Sequence, residues 1–138
     1  MDVRNTDSIP VTVEHGGTCR TTFTFPKESV REETMGSYLE YVAEFELEPG
    51  THLEPHYHDT HEFYRILSGE AIVQVNDQQS LLMPGDLLRI PRNAPHSIWP
   101  ARESGSFRAL SFAVSFMPEN TEPTVCELPE PRNRIVVE

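Results

Sequence analysis

The chain is short of thiols, of positive charge and of long apolar runs, and each shortage removes a class of function. Cys19 and Cys126 are its only cysteines, far apart and outside any Cys-x-x-Cys pair. Neither a disulfide framework nor a thiolate zinc site is expected, and two unpaired thiols suit a reducing cytoplasm. Lys and Arg number 11 against 22 Asp and Glu, a formal charge of -11. That balance repels nucleic acid and anionic bilayers, so neither is expected as a partner. Arg89, Arg92, Arg102 and Arg108 are the exception, a basic spot placed to meet an anionic substrate. No window approaches the roughly 18 apolar residues of a membrane span. Residues 1–12, with Asp2, Asn5, Asp7 and Pro10, lack the apolar run of a signal peptide. A cytoplasmic protein without membrane segments is expected.

What the chain does have is punctuation. Its 138 residues suit one domain. Twelve prolines and seven glycines break it into short apolar and β-branched runs, spaced by about 8 to 12 residues as in an all-β sandwich or barrel. Between residues 39 and 47, Leu39, Tyr41, Ala43, Phe45 and Leu47 alternate with Glu40, Glu44 and Glu46, the period of a half-buried strand. Further strands are predicted over residues 54–67, 71–75, 81–83, 87–90, 96–99 and 108–116, with turns at Pro49-Gly50, Ser68-Gly69, Asn76 to Gln79 and Pro84-Gly85-Asp86. In the last strand Leu110, Phe112, Val114 and Phe116 share a face, and Trp99, Phe107, Phe112 and Phe116 are expected in the core. A short helix is confined to residues 28–36, where no apolar stripe supports it. After Met117 four prolines keep the tail from acting as a central strand, so it is expected on the surface or on a neighbour.

One segment concentrates chemistry. His56 and His58 stand at i and i+2 with Glu62 four residues on, and on a single strand residues of equal parity project to one side. Two imidazoles and a carboxylate suit a hard-to-borderline divalent ion such as Fe, Mn, Ni or Zn. His96, beyond a Pro-bounded loop, supplies a fourth ligand, leaving about two octahedral positions for water or substrate. Tyr64 has the parity of Glu62 and is expected to line the cavity as a hydrogen-bond donor or proton carrier. His61 has the opposite parity and should point away. His52, beside the Gly50 turn, is read as a rim residue, and Asp86 as turn chemistry.

Residues 50–69 match the first motif of the cupin family, G-x5-H-x-H-x3-E-x6-G, at every fixed position. Residues 85–100 match the second, G-x5-P-x-G-x2-H-x3-N, at Gly85, Pro91 and His96, with Asn93 and Pro100 at the two departures. Asn tolerates the left-handed backbone of the glycine it replaces, and Pro100 lies outside the ligand set. Only residues 70–84 separate the motifs, so the chain resembles the compact single-domain cupins over residues 39–116. The resemblance implies a jelly-roll β-barrel of two antiparallel sheets with one metal ion near a mouth, and commonly a homodimer. In such dimers a terminal strand often crosses to the partner, a role open to residues 11–25 within the extension 1–38. Phe63 and Leu67, facing away from the site yet apolar, add to the expectation of a covered outer face.

The barrel hosts many chemistries, so two functions stay open. One is a mononuclear metalloenzyme acting on a small oxygenated molecule, as a dioxygenase or as a Lewis-acid isomerase, lyase or decarboxylase, with Glu62 and Tyr64 handling protons. The other is a non-catalytic barrel similar to the sugar-sensing N-terminal domain of AraC-type regulators, against which the lack of a helix-turn-helix and the charge of -11 both weigh.

Overall fold

The computed structural model describes residues 1–103 and 105–137. In chain order the strands are β1 (Thr12–Glu14), β2 (Cys19–Phe25), β3 (Leu39–Leu47), β4 (His56–Tyr57), β5 (His61–Ser68), β6 (Ala71–Val75), β7 (Gln78–Leu82), β8 (Leu87–Ile90), β9 (His96–Pro100), β10 (Phe107–Val114) and β11 (Thr124–Val125). One sheet has the order β1-β2-β3-β10-β5-β8 and the other β11-β4-β9-β6-β7. Every pairing within them is antiparallel. Phe45, Leu47, Ile66, Val73, Ile90, Ile98 and Phe107 fill the space between the sheets. Burying such side chains, at roughly 1.5–3 kcal/mol each, is what holds the two layers together. This is the expected jelly roll.

The predicted turns carry the backbone they need. Gly69 has φ 76, and a Cβ there would lie 2.1 Å from the Ser106 carbonyl oxygen, so only glycine lets the β5–β6 turn approach the start of β10. Asn93 adopts φ 58, the conformation expected of the glycine it replaces. Asp86 accepts the Met83 amide at 2.8 Å, as turn chemistry requires. The helix is α1 (Val30–Glu33), shorter than the predicted interval and anchored by buried Val30.

Three expectations are corrected. The strand predicted over residues 54–67 is two strands, because the chain leaves β4 after Tyr57 and crosses to the other sheet before β5. Glu40 is buried at 4 % exposure although its parity placed it outside. The register slips where β10 pairs with β3 near Ala113 and Val114, and this bulge turns Glu40 inward. There Ser115 donates to it at 2.6 Å and Lys27 and Arg31 lie at 3.5 and 3.6 Å. In β10 the inner face is Phe107, Ala109, Ser111 and Ala113, so of the four aromatics only Phe107 joins the core cluster. Phe112 stacks outside on Phe63 at 4.8 Å, and Phe116 is 66 % exposed. Within this single chain, β1 and β2 of the N-terminal extension pair onto β3 at the edge of the six-stranded sheet.

The tail folds back on the same chain. Asn133 bonds the backbone of Gln79 in both directions at 2.9 Å, Gln74 donates to the Pro129 carbonyl at 2.8 Å, and Gln79 accepts the Ile135 amide at 2.8 Å. Gln74 and Gln79 are buried, so the tail supplies partners that water cannot.

Candidate metal centre

Two sheets contribute to one cluster. His56 on β4 and His96 at the start of β9 are directly paired across the five-stranded sheet. His58 follows β4 on the crossing segment, whose carbonyl accepts the Asn93 amide at 2.9 Å and so ties the two histidine-bearing segments together. Glu62 lies on β5 of the six-stranded sheet and faces the imidazoles from across the barrel. Parity on one strand therefore does not explain the convergence; the crossing does. One ligand atom from each of the four residues lies within 4.8 Å of the other three, and all four residues are buried. Such a cluster could hold a metal ion.

The hydrogen bonds orient three rings for that task. His56 Nδ1 meets the Glu54 carbonyl at 2.6 Å, and His96 Nδ1 meets the Ala94 carbonyl at 2.9 Å. A carbonyl only accepts, so each Nδ1 carries the proton and each Nε2 presents its lone pair inward. Those two Nε2 atoms are buried and have no hydrogen-bond partner among the described residues. Leaving a buried acceptor unsatisfied costs about 1–3 kcal/mol, and a bound cation removes that cost. His58 Nδ1 contacts the Thr60 hydroxyl at 2.6 Å, while its Nε2 pairs with Glu62.

Electrostatics keeps the rings mostly neutral and the carboxyl charged. Burial, then repulsion by His96, lowers the His56 pKa to about 4. Burial also lowers that of His96. For His58 burial opposes the charge, but the hydrogen bond and charge of Glu62 outweigh it and raise the pKa. Burial likewise opposes ionisation of Glu62, yet the His58 bond and the nearby imidazoles bring it down to about 2. Tyr64 is buried next to Glu62, and burial followed by that negative charge pushes its pKa well above 10. It stays a protonated donor beside the carboxylate.

The cluster opens onto a cavity of about 400 Å³. Small side chains on the inner faces of β3 and β10, Ala43 and Ser111, leave the room for it. Phe23, Tyr41, Phe45 and Tyr64 form an aromatic wall, with Tyr41 and Ser111 hydroxyls 3.0 Å apart.

Sequence reasoning missed His15. Its ring stacks on His56 at 4.5 Å, and it reaches the cavity through a left-handed backbone of φ 52 continued by Gly16 and Gly17. Burial, then the charge of His56, lowers its pKa to about 4. The signal in the sequence was the Gly-Gly pair that lets the chain turn sharply there. His52 is exposed beside Trp99, 5.0 Å between ring centres, and does not line the cavity. His61 turns toward Arg89 at 3.5 Å, away from the cluster. None of the four expected basic residues lines the cavity. Arg92 pairs with Asp59, Arg102 with Glu70 and Arg108 with Glu44.

Comparison with known proteins agrees with this fold. The sequence model of the family described as Cupin domain (Cupin_2) matches residues 43–112. Among solved structures, a predicted oxalate decarboxylase from Thermotoga maritima is 20 % identical with a TM-score of 0.69, covering 83 % of this chain and all of that one (100 %). The polyketide cyclase RemF from Streptomyces resistomycificus is also 20 % identical with a TM-score of 0.69, covering 94 % and 88 %. A cupin 2 domain-containing protein from Halorhodospira halophila is 19 % identical with a TM-score of 0.67, covering 83 % and 74 %. No curated protein matches significantly. No helix among the described residues is long and apolar enough to cross a membrane.

Proposed function

Because the chain belongs to the cupin domain family, whose barrel does not choose a reaction, we propose its function from the site: a mononuclear metal-dependent enzyme acting on a small oxygenated organic molecule. The observation that carries this reading is the pair of buried, unpartnered Nε2 atoms on His56 and His96. Both point into a cluster completed by His58 and Glu62. Three imidazoles and one carboxylate fit iron, manganese, nickel or zinc better than the oxygen-only sites of calcium or magnesium. When bound, the ion supplies either dioxygen activation or Lewis-acid polarisation of a substrate oxygen.

The chain's own residues do the rest. The Glu54 and Ala94 carbonyls hold His56 and His96 in the tautomer that ligates through Nε2. Glu62 stays ionised and accepts protons at a carboxylate oxygen, while the Tyr64 phenol holds one beside it. The aromatic wall of Phe23, Tyr41, Phe45 and Tyr64 shapes the cavity beside the cluster.

Metal analysis of protein purified without a polyhistidine tag tests the reading. About one equivalent of a transition metal is expected, lost in His56→Ala, and oxygen uptake across diols, β-diketones and phenols then separates oxygenase from Lewis-acid catalyst. Metal-free protein that binds a saccharide tightly would instead support a sensor barrel. We also propose a homodimer formed on the outer face of the six-stranded sheet, where Leu67 and Leu87 stand 42 % and 62 % exposed near stacked Phe63 and Phe112. Sedimentation showing a monomer at micromolar concentration would refute it.

A further inference from the structure

The charged lining of the cavity is one-sided, and it is assembled from segments far apart in the sequence. Glu14 ends β1, Glu28 precedes α1, Glu54 precedes β4 and Glu122 precedes β11, yet all four line the same cavity. Glu28, Glu54 and Glu122 are exposed and Glu14 is half-buried, so they form a rim. Deeper in, Glu40 and Glu62 are buried. Lys27, the chain's one lysine, is the cavity's one strongly basic lining residue among those described.

Most of the deep charge is already matched. Arg31 and Lys27 stand 3.6 and 3.5 Å from Glu40 and His58 pairs with Glu62, while on the rim Lys27 also lies 3.6 Å from Glu122. Glu14, Glu28 and Glu54 have no ion-pair partner among the described residues; Glu14 only accepts the Thr12 hydroxyl at 3.0 Å. Three unmatched carboxylates around a mouth with apolar walls focus a negative potential along the way in.

The interior selects by shape. A cavity of about 400 Å³ falls in the range of small-molecule sites. Phe23 meets Tyr41 edge-on at 5.6 Å and Phe45 meets Tyr64 at 5.0 Å, giving a wall that ring faces and edges can pack against. Thr21, Thr60 and the Tyr41–Ser111 hydroxyl pair offer neutral polar handles.

Resting on the site proposed above, we infer that the molecule this cavity takes is a ring compound that carries no negative charge, recognised through hydroxyl or keto oxygens, and that the glutamate rim disfavours carboxylates. In the metal-free cavity, the state in which it is tested, the size of the effect follows from the rim charge alone. Three carboxylates on the order of 10 Å from a ligand charge disfavour an anion about fivefold at 10 mM salt and about twofold at 0.15 M.

The test compares 2-naphthamide with 2-naphthoate, alike in shape and different in charge, by calorimetry on the chelator-treated 138-residue chain at both salt concentrations. Naphthamide should bind about fivefold tighter at low salt, and the ratio should fall at high salt and in the Glu28→Gln/Glu54→Gln variant. Equal or tighter naphthoate binding at low salt, a ratio indifferent to both salt and substitution, or no naphthamide binding at millimolar concentration would each overturn the inference. A zinc titration of the same sample separates the two proposals. If zinc fails to bind while the charge preference holds, the metal reading falls and this one stands.

Discussion

Replacing His96 by Leu should cost the metal-free protein little and cost the metal-loaded protein most of what the ion adds. In the absence of metal the substitution removes an unpartnered buried Nε2, a gain of about 1–3 kcal/mol, and strands the Ala94 carbonyl that met Nδ1, a loss of similar size. The two nearly cancel, and Leu fills most of the imidazole's volume. The metal-free melting temperature should therefore move by only a few degrees. With an ion at about a hundredfold its Kd, wild type gains about 2.7 kcal/mol. For 138 residues, an unfolding entropy of about 2.1 cal/mol/K per residue converts that gain to a shift of about 9 °C. The variant, short of one ligand in four, should shift by less than about 2 °C at the same ion concentration. Thermal unfolding followed by the fluorescence of Trp99, the single tryptophan, reads both numbers after chelation and after re-addition of manganese, iron, nickel or zinc. A variant that keeps the full shift, or a wild type that no ion stabilises, would refute the reasoning.

Three other outcomes follow from the same coordinates. Gly69→Ala should destabilise by more than about 3 kcal/mol in urea, since its Cβ would meet the Ser106 carbonyl at 2.1 Å in a left-handed backbone; a loss under 1 kcal/mol would mean the turn relaxes freely. Asn133→Ala should cost about 1–3 kcal/mol by stripping both tail bonds from the Gln79 backbone, and an unchanged urea midpoint would show the tail detached in solution. Metal-free protein should lose stability as pH falls from 6.5 toward 4, because His56, with a pKa of about 4 when folded, takes up its proton earlier when unfolded. The stabilisation is full above 6.5 and declines below it, by on the order of 3 kcal/mol for His56. His56→Phe should flatten that limb, and an equally steep limb in the variant would place the effect elsewhere.

Where prediction and structure diverge, the cause is usually a departure from strict strand geometry. The alternation from Leu39 to Leu47 gave β3 its limits, but a bulge opposite Ala113 and Val114 turned Glu40 inward. Nothing in a period-two pattern signals a slipped register, because the slip is decided by the partner strand. The same holds for Phe112, whose place on the outer face is set by the register that pairs it with Phe63 of β5. His15 escaped notice for a different reason: its relation to His56 exists only once β2 has docked on β3 and carried the Gly-Gly turn over the cavity.

By itself the sequence determined an all-β barrel, its turns and, through two short motifs, the identity of the four clustered residues, since periodicity, glycine and proline placement and the spacing inside each motif are local properties of the chain. Tertiary structure alone decided that Glu62 faces the imidazoles from the opposite sheet, that the arginines pair outside, and that four distant glutamates ring one mouth. Those outcomes depend on which segments become neighbours in space, and burial and charge pairing act between neighbours whatever their separation along the chain.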